Sequence, residues 1–211
     1  MLDLSLYLVT DRPLANGRDI EWIVEQAVMG GVTMVQLREK SCSTREFIEL
    51  AQRLVHTLRP LGIPLIINDR LDVALAADAD GLHIGQSDMP YATARALLGH
   101  HKIIGLSVET MEQARAANLL DVDYIGISPV FGTPTKTDTN LPFGLEGIAQ
   151  VMSFTKHPAV AIGGIGLHNA AAIMQAGANG IAVVSAICSA SDPQKAAQQL
   201  KGKVQVSSIS Y

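Results

Sequence analysis

The chain has 211 residues, 48% of them hydrophobic and 17% charged, with a formal net charge of -4 and a sequence pI of about 5.8. That is enough for one substantial core, and it excludes bulk attraction to nucleic acid or an anionic membrane, so any anion recognition has to be local. Two cysteines far apart, Cys42 and Cys188, suggest neither a disulfide framework nor a zinc cluster and are expected to be reduced packing residues. With no basic-then-apolar leader, and no apolar run near the roughly 18 residues of a bilayer span, the expectation is a soluble cytoplasmic protein.

The first apolar run, LYLVT (6–10), is followed by IEWIVEQAVMGG, which has helical periodicity and ends at Gly30-Gly31. MVQLR (34–38) comes next, then STREFIELAQRLVHTLRP, with Ser43 or Thr44 as the candidate cap. LIIN (65–68), GLHIG (81–85), IIGLSV (103–108), YIGISPV (124–130), AVAIG (159–163) and GIAVVS (180–185) follow, with helical stretches such as LHNAAAIMQAGA between them. Strands that are mostly apolar on both faces are parallel strands covered by helices. Eight such units in a chain near the lower limit of about 200 residues predict a single-domain (β/α)8 TIM barrel. It is expected over residues 1–203, with a polar tail at 204–211, and an open doubly wound sheet is the alternative.

In a barrel, chemistry collects at the carboxyl ends of the strands. Asp78 and Asp80 precede the fourth strand and are assigned to turns on the opposite face. Along VQLREK, period-two geometry sends Gln36, Arg38 and Lys40 to one face and turns Glu39 away. An amide and two cations do not suit a core, and an anion-binding face explains them better than a solvated edge. Asp69 and Asp88 each have a bland reading, as a helix cap and a loop acid. Together, at the tops of neighbouring strands, they form a carboxylate pair of the kind Mg²⁺ takes while leaving positions for water and phosphate oxygens. Cations beside that pair suggest a bound diphosphate.

The loop GTPTKTDTN after the sixth strand is either a flexible polar loop or a closing loop that brings Lys136 onto the ligand. Gly163-Gly164, followed by a helix, and Ser185 match the phosphate site that barrels build after strands seven and eight. His83, within a strand, reads as a hydrogen-bonded core residue. His56, His100, His101 and His157 read as surface, and His168 as a residue near a helix start. Two anion sites in one mouth suggest a transfer between two phosphorylated small molecules, with loss of pyrophosphate.

The segments YLVTDR, VQLREK, LIINDR, GLHIGQSD, GLSV, SPVFGTPTK, AIGGI and AVVSAI, in order over nearly the whole chain, resemble the thiamine-phosphate synthase family. The resemblance implies joining 4-amino-2-methyl-5-hydroxymethylpyrimidine diphosphate to 4-methyl-5-(2-phosphoethyl)thiazole, or its carboxylated form, with release of pyrophosphate through a pyrimidine cation. It implies that Gln36, Arg38, Lys40, Asn68, Ser107 and Lys136 bind the pyrimidine diphosphate, with Arg38, Lys40, Ser107 and Lys136 acting in catalysis. It further implies Mg²⁺ on Asp69 and Asp88, and the thiazole phosphate on Thr133, Thr135, Gly164, Val184 and Ser185. A related branch, the thiazole tautomerases, looks depleted in the diphosphate and metal motifs and carries a histidine near the end of strand six, where GISPVF has none. A catalytically inactive phosphate-ligand sensor is the alternative from another class. Homo-oligomer formation is left open.

Overall fold

The computed structural model describes residues 2–132 and 141–206. Eight short parallel strands close into a barrel in chain order: β1 (Leu6–Val9), β2 (Met34–Leu37), β3 (Leu65–Asn68), β4 (Gly81–Ile84), β5 (Ile103–Val108), β6 (Tyr124–Ile127), β7 (Ala159–Ile162) and β8 (Gly180–Val183). β8 pairs with β1, with Tyr7 opposite Ala182, so the open-sheet alternative is excluded. The helices are α1 (Ile20–Met29), α2 (Thr44–Leu58), α3 (Leu71–Ala76), α4 (Tyr91–Leu98), α5 (Met111–Ala117), α6 (Gly144–Met152), α7 (Ala170–Gln175), a single turn α8 (Ser185–Cys188) and α9 (Pro193–Val206). Ser43 caps α2 in a reciprocal capping box with Glu46.

Alternation divides the strand residues between two cores. Leu6, Leu8, Val35, Leu37, Leu65 and Ile67 pack outward against the helices. Tyr7, Val9, Met34, Ile66, Tyr124, Val160 and Ala182 fill the barrel itself. Glycine makes room for one of the two interior tyrosines, because a Cβ on Gly105 would collide with the Tyr124 ring.

Four polar residues recur at the amino ends of the strands. Thr33, Asp80, Asp123 and Asn179 each stand immediately before an even-numbered strand. Their side chains accept the backbone N–H of Leu6, Leu65, Ile104 and Ala159, at the starts of the preceding odd strands, at 2.8–3.2 Å. These groups have no neighbour in their own strand pair to satisfy them, so the side chain completes the ladder. Asp78 is bound by Arg59 and Lys102 on the same face.

Candidate functional site

At the carboxyl ends of the strands lies a cavity of about 570 Å³. Gln36, Arg38, Lys40, Asn68, Asp69, Asp88, Ser107, Gly164, Val184 and Ser185 all line it. Thr133, Thr135 and Lys136 lie outside the described residues.

The strand reading of VQLREK holds only through Leu37, where β2 ends. Arg38 and Lys40 follow the ladder but still face the cavity, and each meets a carboxylate. Arg38 Nη1 donates to Asp11 Oδ2 at 2.7 Å, and its backbone N–H donates to Thr10 Oγ1 at 3.0 Å. Lys40 Nζ donates to Asp69 Oδ2 at 2.6 Å. Glu39 does point away, where Arg12 grips both of its carboxylate oxygens at 3.0 and 2.8 Å. Asp11 belongs to this arrangement and carried no signal in the sequence beyond its place after the first strand.

The carboxylate pair is asymmetric. Burial would raise Asp69, but the Lys40 ammonium and a hydrogen bond from Asp88 bring it below the ordinary value. Asp88 is raised by its burial and by Asp69, although it also accepts the Gly85 N–H at 2.7 Å. Two neighbouring carboxyl groups, with a lysine standing on one of them, are hard oxygen donors at a place that already attracts a cation. That donor set fits Mg²⁺. Among the described residues no group of three or more His, Cys, Asp or Glu side chains could hold a metal, so its other ligands would be water and substrate oxygens.

On the other side of the mouth, Gly163 and Gly164 both have positive φ, 106° and 64°. A Cβ on Gly164 would come within 2.9 Å of the Gly132 carbonyl and Phe131 Cβ, a fit that only glycine makes without strain. The helix expected directly after these glycines starts only at Ala170, with Asn169 bonding Gly164 O and the Gly166 N–H in between. The helix that begins at the cavity is the single turn α8, at Ser185. Barrel phosphate sites often carry a short extra helix after the eighth strand.

His83 is a buried, hydrogen-bonded strand histidine that also lines the cavity. Burial lowers it to about 4, against a partly offsetting pull from Asp69. Its neighbours Tyr7 and Tyr124 are raised by burial and stay neutral phenols. Reasoning from the sequence missed both tyrosines. Their one signal was the polar tip that an interior tyrosine has to satisfy.

Fold and site together define a (β/α)8 barrel with a polar, cation-bearing mouth at the carboxyl ends of its strands. The family model described as thiamine monophosphate synthase matches residues 6–187. A thiamine-phosphate synthase from Syntrophomonas wolfei is 55% identical over 199 residues, covering 94% of this chain and 95% of that protein. One from Albidiferax ferrireducens is 56% identical over 198 residues, covering 94% of this chain and 90% of that protein. A solved structure described as thiamine phosphate pyrophosphorylase from Pyrococcus furiosus superposes with a TM-score of 0.90 at 38% identity, covering 98% of each chain. The chain belongs to the thiamine-phosphate synthase family. Among the described residues, no helix is long and apolar enough to cross a membrane.

Proposed function

We propose that the chain is a transferase that condenses the pyrimidine diphosphate with the thiazole phosphate to give thiamine phosphate and pyrophosphate. One observation carries the reading: every described residue of both expected anion sites lines the same cavity. Two phosphorylated ligands side by side need alignment and charge stabilisation more than acid–base chemistry.

In this reading, Arg38 and Lys40 hold the diphosphate, with Asn68, Gln36 and Ser107 around the pyrimidine. Lys136, outside the described residues, adds a third cation on the resemblance alone. Asp69 and Asp88 would hold Mg²⁺, which when bound neutralises phosphate oxygens. Lys40 then turns from Asp69 to the leaving group, and its charge acts most strongly as negative charge builds there. Gly164, Val184 and Ser185 hold the thiazole phosphate, with Thr133 and Thr135 carried over from the resemblance. The bond from the pyrimidine methylene carbon to the diphosphate oxygen breaks first, its electron pair leaving with pyrophosphate, and the thiazole nitrogen then attacks the resulting methylene cation. No proton has to move, which suits a site whose histidine is buried and neutral.

A pyrophosphate-release assay with both substrates and Mg²⁺ tests this. Release that depends on both substrates is expected. Binding without release would leave the sensor reading, and isomerisation of a thiazole carboxylate phosphate the tautomerase one.

A further inference from the structure

Below the mouth, the barrel interior holds polar groups that neither anion site uses. Tyr7 on β1, Tyr124 on β6 and His83 on β4 join Gln36 to Ser107 across the barrel through four hydrogen bonds. Gln36 Nε2 lies 2.8 Å from Tyr7 Oη, and Tyr7 Oη lies 2.8 Å from Tyr124 Oη. Tyr124 Oη lies 2.9 Å from His83 Nδ1, and His83 Nε2 lies 2.8 Å from Ser107 Oγ. Gly105 leaves the space that the Tyr124 ring occupies.

With the Gln36 amide nitrogen toward Tyr7, counting protons sets the direction of this chain. The Gln36 amide nitrogen only donates, so Tyr7 Oη accepts from it and passes its own proton toward Tyr124. Tyr124 in turn donates to His83 Nδ1. A neutral imidazole bare at Nδ1 carries its proton on Nε2 and donates to Ser107 Oγ. The Ser107 hydroxyl proton is left for the cavity. So is Gln36 Oε1, which takes no part in the four bonds, since among the described residues no buried side-chain polar atom lacks a partner.

We propose that this relay is the specificity device of the pyrimidine subsite. It fixes Gln36 as an acceptor and Ser107 as a donor, so the cavity selects an aminopyrimidine over the oxo ring of the same shape. The inference rests on the pyrimidine reading of the cavity. An aminopyrimidine offers an N–H donor beside a bare ring nitrogen. Exchanging amino for oxo makes the first an acceptor and puts a proton on the second, so both polarities invert. To accept the oxo ring, the Gln36 amide has to flip and every proton in the relay has to shift with it. Tyr7, Tyr124 and His83 are positioning residues that act through Gln36 and Ser107.

The test compares kcat/KM for the amino substrate and its oxo analogue in the wild type, Tyr7→Phe and Tyr124→Phe. A site built around a substrate N–H rejects the analogue by about 10⁴-fold. Loss of one relay bond should lower that ratio by about tenfold. Equal losses on both substrates, with the ratio unchanged in both variants, are what a merely structural role gives and would overturn the proposal. A second reading needs no turnover and no variant. The ¹⁵N spectrum of wild-type His83 should show the Nε2–H tautomer, and an Nδ1–H tautomer would overturn the assigned polarity. Should the wild type consume neither pyrimidine, the proposed function fails, and the tautomer alone judges the relay.

Discussion

Replacing Arg38 with alanine separates the two anion sites most sharply. Arg38 Nη1 is 2.7 Å from Asp11 Oδ2, and a guanidinium has more N–H donors than that one bond uses. The rest are available to a diphosphate. Truncation removes a charged hydrogen bond worth about 1.5–3 kcal/mol. At about 1.4 kcal/mol per factor of ten, binding of the pyrimidine diphosphate should weaken roughly 10- to 150-fold. A second effect adds to this loss: Asp11, only 7% exposed, is left as an uncompensated carboxylate facing an anion.

Asp11→Asn introduced with Arg38→Ala removes that repulsion, which in a partly solvated site is on the order of 1 kcal/mol. The double variant should therefore bind the diphosphate several-fold more tightly than Arg38→Ala alone. Calorimetric titration of each ligand with Mg²⁺ present measures all of this. Ser185→Ala serves as the counterpart, with a smaller loss confined to the thiazole phosphate. Equal weakening of both ligands in Arg38→Ala, or a double variant weaker than the single one, would refute the two-site map and the assigned role of Asp11.

Asp88→Asn should sharply reduce Mg²⁺-dependent turnover with the fold intact, while Asp80→Asn should leave it near normal; equal losses in parallel assays would count against the assigned face. Gly164→Ala forces an L side chain into φ 64° against the Gly132 carbonyl. It should weaken the thiazole phosphate, with strain of about 1–2 kcal/mol, and leave the diphosphate unaffected in the same titrations. His83, lowered from 6.5 to about 4 by burial, gives a pH dependence of stability. Between these values the unfolded chain binds a proton that the folded chain does not, so stability is full above 6.5 and falls as the pH drops toward 4. At about 1.4 kcal/mol per pH unit the loss approaches about 3 kcal/mol. Urea midpoints in chelator should follow that slope in the wild type, and a His83→Asn variant with the same slope would disprove the assignment.

The barrel was legible because its evidence of periodicity is local: apolar runs and helical spacing repeat within each unit. Strand ends were less so. YIGISPV reads as one run, yet β6 stops at Ile127, and Pro129 has no N–H to continue a ladder. The cations of the mouth were legible because a core does not tolerate unpaired charge, so cations alternating out of an apolar strand point to an anion. Their partners were not. Asp11 lies 27 residues from Arg38 and meets it through the pairing of β1 with β2, and Tyr7 lies 117 from Tyr124, which only barrel closure brings opposite it. Within a four-residue strand that is buried throughout, nothing local marks Tyr7 as facing inward rather than toward the helices.

The acids at the two ends of the barrel differ in what remains for them to do. At the amino ends, Asp80 and Asp123 each accept the N–H of a neighbouring strand's first residues, and Asn179 and Thr33 fill the equivalent places without any charge. The position therefore needs an acceptor and not an anion, which is why Asp80→Asn should be nearly silent. At the carboxyl ends, Asp69 is bound by a lysine, and Asp88 accepts one backbone N–H and has its carboxyl raised by the nearby Asp69. No strand needs two carboxylates brought together against their mutual repulsion, and the arrangement costs stability unless something else uses it. A cation held between the two carboxylates would relieve that repulsion, and it would do so beside the cations that would meet the diphosphate. The same residue type thus completes strand ladders at one end of the barrel and lines a cavity at the other.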